Sequence, residues 1–487
     1  MHIVEALEHV PDMRCVLCLF EGVVTGAADG YARMAGKPAC TLLHLGPGLA
    51  NGLANLHNAS RAHVPIINVV GQHATYHLRH DTPLVSDIEA IAKPCSRWLR
   101  TSSAVSKIGH DAAEAIVAAR TAPGQIATLI VPADIAWNEG ALVAEAPNAL
   151  NTPMPPADAI EHAAGMLCSG ARTALLLAGS ALFGDGLAAA SIVGESANVK
   201  LLAPYPFTRM QRGSDVVAVE RVAYVLEQAV EQLKEFRQII LVGASALVSY
   251  FASPGKESVL TSPECEVHTL TKPGEDHVGA LKALAAALSK RFTRPAERKS
   301  ERPLLPKGDI SLAGLAATVG ALLPENAIVV DESMTSGRGM MAATQGAPSH
   351  DWLANTGGSI GIAMPLAVGA SVACPGRKVL CLSADGSGMY TAQALWTMSR
   401  ESLPVTTVIF ANREYAVLKR EFSYLGVGEP GPRARDMFEI GRPDLDWVSL
   451  AKGMGVPGTR IQSLDGFAKA LREGFESGGP ALIEVRL

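Results

Sequence analysis

The chain lacks any long apolar run. None of its 487 residues lies in an uninterrupted hydrophobic stretch of the ~18 residues that a membrane span needs. It opens MHIVEALEHV, with acids where a secretory leader would place bases ahead of an apolar core, so no export signal is read there. Positive charge is also short: 42 Lys and Arg against 47 Asp and Glu leave a net charge of −5. That balance argues against a nucleic-acid or anionic-membrane partner. Cysteine is sparse, eight residues in all. Cys15 and Cys18 form a lone CxxC, but VLCL reads as a strand, where residues three apart face opposite sides. Neither a second CxxC nor a His pair follows to complete a zinc site. Buried, reduced thiols in a cytoplasmic protein are expected. No repeat with a period of about 20–50 residues is present either.

What is there is a regular alternation. Two stretches read as linkers: residues 148–157 (NALNTPMPPA) and the basic, Pro-containing residues 290–308 (KRFTRPAERKSERPLLPKG). They divide the chain into residues 1–150, 155–290 and 308–487. The first part offers the apolar, β-branched runs TLLHL (41–45), IINVV (66–70) and ATLIV (127–131). The second offers ALLLAG (174–179) and IILVGA (239–244). The third offers AIVVD (327–331), KVLCLSAD (378–385), VTTVIFAN (405–412) and ALIEV (481–485). Continuous apolar strands separated by helical patterns indicate parallel sheets covered on both faces. The expected fold class is therefore α/β, as three doubly wound parallel-sheet domains. Ligands of such sheets sit at the carboxyl ends of the strands.

At one such end Ala384-Asp385-Gly386-Ser387-Gly388 follows a strand, and Asn412 closes the next. A carboxylate and an amide oxygen on neighbouring strands suit Mg²⁺, which completes its octahedron with phosphate and water. Gly386 allows close backbone approach, and the helix start after it presents free N–H groups. Taken alone, Asp-Gly after a strand is an ordinary turn. The whole segment, however, resembles the thiamine-diphosphate motif, in which Gly-Asp-Gly is followed some thirty residues later by Asn-Asn. Ala384 and Ala411 stand in place of that motif's outer Gly and first Asn. The metal-binding positions Asp385 and Asn412 are intact, and the resemblance makes the backbone carbonyl of Glu414 the third protein ligand.

A second segment carries the same resemblance. Glu21 follows VLCLF and opens the Gly/Ala-rich run EGVVTGAADGYAR. By itself it reads equally as a helix-start acid meeting the macrodipole. Flanked by Leu19, Phe20, Val23 and Val24, its carboxyl is expected to favour the neutral form. The run resembles the helix that, in thiamine-diphosphate decarboxylases and acetolactate synthases, holds a glutamate against the aminopyrimidine ring. HLGPGLAN (44–51) resembles that group's Gly-Pro-Gly-x-x-Asn segment. Read instead as a dinucleotide fingerprint it fails on glycine spacing, with no acid about 20 residues on.

His44 ends TLLHL, where benzoylformate decarboxylase also has a His, and is a candidate for proton transfer. Gln72 in VVGQH resembles a family Gln near the cofactor. TGGSIGIAMPLAVGA (356–370) resembles the benzoylformate decarboxylase segment Gly-Gly-Leu-Gly-Phe-Ala-Leu-Pro. It would place Ile360 between the cofactor's rings and the Gly358 carbonyl on the pyrimidine amino group. Asp331-Glu332-Ser333-Met334-Thr335-Ser336 resembles the loop that touches the diphosphate, with Thr335 as the contact.

The resemblance implies a thiamine-diphosphate- and Mg²⁺-dependent enzyme that decarboxylates or ligates a small 2-oxo acid. Its parts would be a pyrimidine-binding domain (1–150), a central domain (155–290) and a diphosphate-binding domain (308–487). It also implies a homodimer or homotetramer with sites between subunits. Relatives begin with a strand, a helix and a Pro-Gly-Ser/Thr-x-Glu loop, so roughly thirty opening residues, and part of the substrate pocket, are expected to be missing. A non-catalytic cofactor-binding relative and an NAD(P)-binding oxidoreductase remain the alternatives.

Overall fold

The computed structural model describes residues 1–148, 151–197, 199–252, 254–289, 301–424, 426 and 428–487. Part of each expected linker, residues 149–150 and 290–300, therefore lies outside the described residues. The remaining strands fall into three sheets. In the first, β1 (Ala39–His44), β2 (Ile66–Gln72), β3 (Trp98–Thr101) and β4 (Ile126–Pro132) lie in the order β1-β2-β4-β3. The middle of the chain supplies β5 (Thr173–Leu177), β6 (Lys200–Ala203), β7 (Arg209–Arg212), β8 (Glu220–Arg221), β9 (Gln238–Val242) and β10 (Glu266–Thr271). All but β7 form the second sheet, ordered β10-β9-β5-β6-β8. The third sheet contains β11 (Ile328–Glu332), β12 (His350–Ala354), β13 (Val379–Ala384), β14 (Val405–Ala411), β15 (Gly458–Ile461) and β16 (Ala481–Arg486). Its order is β15-β16-β14-β13-β11-β12-β7, and only the β12–β7 pair is antiparallel.

The apolar runs behave as expected. Every residue of β4, β5, β9 and β14 is buried, which is what a strand covered by helices on both faces requires. Two readings need correction. VLCLF is not a strand, because among the described residues no ladder partner lies beside it. Its alternation instead lays Cys18 and Phe20 onto the core of the third sheet, while Leu17 and Leu19 stay exposed. Thr397 Oγ1 donates to the Leu17 carbonyl and ties the segment there. The cysteines are all free, but only Cys95 and Cys381 are buried. Cys40 is exposed because β1 is an edge strand whose alternate residues Cys40, Leu42 and His44 face outward.

The first sheet is locked to the third through two helices, α1 (Glu21–Ala35) and α3 (Ala363–Ala373); α2 (Leu45–Arg61) packs beside α1. The crossing is closer than side chains would permit. A Cβ on Gly30 would lie 2.1 Å from the Leu366 carbonyl oxygen, and one on Gly369 would lie 1.9 Å from that of Ala27. A buried ion pair completes the joint. Asp29 and Arg33, whose side chains are both 0% exposed, meet in a two-pronged contact at 2.7 Å on each oxygen. The other guanidinium donors reach the Ala354 carbonyl at 2.7 Å, the Thr208 carbonyl at 3.0 Å and Thr356 Oγ1 at 3.2 Å. Five acceptors for one guanidinium leave nothing unsatisfied, and they come from all three parts of the chain.

Candidate active site

The sequence-predicted residues fall into three groups, and all but Glu21 follow or close the carboxyl ends of parallel strands. The first lies between β13 and β14, which are hydrogen-bonded neighbours with Ala384 opposite Phe410. The chain leaving each strand brings Asp385 and Asn412 to the same edge. Asp385 starts a single helical turn, α4 (Asp385–Gly388), in which Gly386 and Ser387 are also buried. The Asp385 carboxylate is 2% exposed. It accepts from Gly386 N at 2.9 Å and from Arg413 N at 2.6 Å. Burial drives its pKa above the ordinary carboxylate range, and the two N–H bonds only partly pull it back. A buried carboxylate in that condition has electrostatic room for a cation. Asn412 Oδ1 accepts from Glu414 N at 3.2 Å. The turn is then pinned by Tyr415 N to the Phe438 carbonyl and Ile440 N to that of Arg413; neither bond uses the Glu414 carbonyl. Among the described residues no cluster of three His, Cys, Asp or Glu is placed to hold a metal. A cation at Asp385 therefore needs amide, carbonyl and ligand oxygens, a set suited to Mg²⁺.

The second group is the arch between β12 and α3. Gly358 (φ 79°) and Gly361 (φ 90°) both take the left-handed conformation, leaving Ser359 and Ile360 as a two-residue crown. Ile360 is half-buried and Gly358 exposed. Asn58 of α2 holds the crown from one side, with Oδ1 accepting from Ser359 N at 3.1 Å and Nδ2 donating to the Ser359 carbonyl at 2.8 Å. The carbonyls of Gly357 and Gly361 are bonded to His57 and Thr391. Gly358's carbonyl has no protein donor among the described residues. Thr335 is half-buried in the loop after β11.

One residue of this group was not picked out from the sequence. Glu332, the last residue of β11, is 3% exposed. Its carboxylate accepts from Gly361 N at 3.0 Å, Ala363 N at 3.2 Å and Asn355 Nδ2 at 3.1 Å. Burial pushes its pKa up to about 7 against those hydrogen bonds. The two acids, Asp331 and Glu332, that close the apolar run AIVV were the available signal.

The third group belongs to the first sheet. Glu21 begins α1 and accepts from Asn51 Nδ2 at 3.1 Å. His44 ends β1 and lines a cavity of about 330 Å³ together with Gln72, His73, Tyr76 and Trp137. Gln72 Oε1 accepts from His73 N at 2.8 Å. Gly48 sits between the two candidate proton-handling groups: a Cβ there would be 3.4 Å from Glu21 Oε1 and 3.5 Å from His44 Cβ. The apolar surround expected for Glu21 is incomplete within one chain. Val23 is fully buried, but Leu19 is 53% exposed and Glu21 itself half-buried. Among the described residues no hydrogen bond or ion pair joins Glu21 or His44 to Asp385 or Asn412.

Comparison with known proteins gives a consistent picture. Residues 1–91 match the family model for the thiamine pyrophosphate enzyme N-terminal TPP binding domain, and residues 336–485 match its C-terminal TPP binding domain. The chain is 50% identical over 486 residues, spanning 100% of itself and 93% of the relative, to a Mycobacterium tuberculosis protein named "Putative acetolactate synthase large subunit IlvX". It is 26% identical to benzoylformate decarboxylase of Pseudomonas aeruginosa, covering 97% of this chain and 92% of that one. Among solved structures, the thiamine diphosphate-dependent 4-hydroxybenzoylformate decarboxylase of Rhodococcus jostii RHA1 superposes with a TM-score of 0.86. That pair shares 24% identity and covers 98% and 92% of the two chains, a likeness of fold.

Proposed function

Because the chain belongs to the thiamine pyrophosphate enzymes, of the 2-oxo acid decarboxylase and synthase type, we propose that it uses Mg²⁺ and cleaves or forms a carbon–carbon bond beside the carbonyl of a small 2-oxo acid. The observation that carries this reading is the buried Asp385 carboxylate beside Asn412 at the ends of paired strands. Asp385, Asn412 and the Glu414 carbonyl would hold the Mg²⁺, with Gly386 and Ser387 offering backbone and hydroxyl to the diphosphate and Thr335 touching it from the neighbouring loop. Ile360 would prop the two rings of the cofactor at their bend, and the unbonded Gly358 carbonyl would accept from the pyrimidine amino group. Glu21 would hold a proton at the pyrimidine ring, with Gln72 alongside. Bound thiamine diphosphate supplies the electron sink that makes loss of CO₂ accessible. His44 would then move a proton at the substrate carbon, which favours a decarboxylase over a carboligase.

In this reading residues 1–150 bind the pyrimidine, 155–290 form the central domain and 308–487 bind the diphosphate. The two halves of the site meet across subunits of a homodimer or homotetramer. The incomplete wall around Glu21 and the exposed Leu17, Leu19 and Leu42 support a second copy as the missing cover. Eight free thiols support a reducing, cytoplasmic setting, and no helix among the described residues is long and apolar enough to cross a membrane.

The test is a CO₂-release screen over pyruvate, benzoylformate and branched 2-oxo acids with thiamine diphosphate and Mg²⁺, run beside calorimetry of the Asp385→Ala variant. Release from one substrate class, with loss of cofactor binding in the variant, is expected. Unchanged thiamine-diphosphate affinity in Asp385→Ala sinks the metal assignment. Tight cofactor binding with no CO₂ from any substrate identifies a non-catalytic relative.

A further inference from the structure

We propose that Glu332 is a positioning residue that fixes the arch carrying Gly358 and Ile360 against the rings of the cofactor. The inference rests on the site reading above and adds to it the group that sets the arch's shape. The arch is a short span between two left-handed glycines and has no ladder of its own. Its far end is held by one carboxylate. Glu332 takes Gly361 N on both oxygens, at 3.0 and 3.2 Å, and Ala363 N on Oε2 at 3.2 Å. Asn355 links the two ends: Nδ2 donates to Glu332 Oε1 at 3.1 Å and to the Ser359 carbonyl at 2.9 Å, and Oδ1 accepts from Gly358 N at 2.9 Å.

No cation pairs with Glu332 among the described residues, so its charge is met only by these N–H groups. Burying a carboxylate this way is costly compared with an apolar side chain. The raised pKa of about 7 records that cost. The cost is explicable if a group that only accepts is needed at both oxygens. A glutamine would turn its NH₂ toward Gly361 N or Ala363 N, and an alanine would leave both donors bare. Either change frees the arch while leaving Asp385 and Asn412, just beyond β13 and β14, in place.

The consequence is selective. Calorimetry in saturating Mg²⁺ compares thiamine diphosphate, which needs the arch, with inorganic pyrophosphate, which needs only the metal and phosphate positions. Glu332→Gln is expected to weaken thiamine diphosphate by about tenfold or more, the loss of one hydrogen bond to a charged group, and to leave pyrophosphate unchanged. Ile360→Ala should also weaken thiamine diphosphate. The double variant should bind no worse than the weaker single one, because both act through one element. Should Glu332→Gln fail to fold by thermal melt, Asn355→Ala removes the same link and should give the same selective loss. Equal loss of both ligands, or of neither, overturns the proposal. If Ile360→Ala weakens the cofactor and Glu332→Gln does not, only the positioning role fails. If Ile360→Ala binds normally, it is the site reading that fails.

Discussion

Replacing Arg33 by methionine keeps the bulk of the side chain and removes the five hydrogen bonds that its guanidinium makes at the joint between the first and third sheets. Breaking a buried pair by taking away one partner costs about 3–5 kcal/mol, because the other charge stays behind. The carbonyls of Ala354 and Thr208 lose their donor as well, at about 1–3 kcal/mol for each left dry. A loss of at least about 5 kcal/mol is therefore expected, comparable with the whole stability of an ordinary domain. Most of it comes from the stranded Asp29 charge, so Asp29→Leu/Arg33→Met should recover roughly 3 kcal/mol over the single variant. Acid should help the single variant too. Burial already raises the Asp29 pKa with Arg33 present, and removing Arg33 raises it further. A carboxyl whose folded pKa lies above its unfolded one stabilises at low pH and loses that contribution as pH rises through the folded value. Urea unfolding followed by the emission of the fully buried Trp352 and Trp447 measures all three. A double variant no more stable than Arg33→Met, or a single variant insensitive to pH, would refute the assignment to Asp29.

Other expectations are as specific. Glu21→Gln should retain cofactor affinity yet slow exchange of the thiazolium proton by about 10²-fold or more; an unchanged rate by proton NMR removes Glu21 from the mechanism. His44→Ala should lower aldehyde formation by about 10²-fold, whereas an unaltered mixture of hydroxyketones at an unaltered rate makes His44 structural and the protein a synthase. His350, buried with its pKa lowered from 6.5 to about 4, is neutral in the folded chain, so the unfolded chain binds the extra proton. Stability should fall as pH drops from 6.5 to 4, by about 3 kcal/mol on this account, and His350→Leu should flatten that part of the urea-midpoint profile.

Eight of the nine apolar runs were legible as strands because they are fully or mostly buried, a condition that selects for uninterrupted hydrophobicity; TLLHL of β1 was legible although alternate residues of that strand face outward. The strands that escaped are polar or short. HDWLA (β12) is completely buried, yet its His and Asp break the apolar pattern; the His is held by a local bond to Pro348 and the Asp by Arg209 and Arg377 from elsewhere in the chain. RMQR (β7) pairs antiparallel with β12 from a distant part of the chain, a tertiary event without local periodicity. VLCLF misled for the opposite reason: alternation reports a face that is covered, not the element that covers it. Asp385 and Asn412 stood out as candidates because a strand end, a glycine and a spacing coincide. Glu332 was not, since its role lies in which backbone amides it meets.

The glycine-lined crossing of α1 and α3 also bears on how the chain is made. Residues 21–35 and 363–373 stand at opposite ends of synthesis, and the partners of Arg33 at Thr208, Ala354 and Thr356 emerge long after it does. Until then the emerging first sheet presents a bare glycine groove with a charged pair inside, a surface that only residues made later can close. Contacts of such wide separation form slowly and leave the chain exposed to association in the meantime. At translation rates of about 5–20 residues per second, the wait is tens of seconds, so a ribosome stalled before residue 354 should hold a protease-sensitive first domain that the finished chain protects.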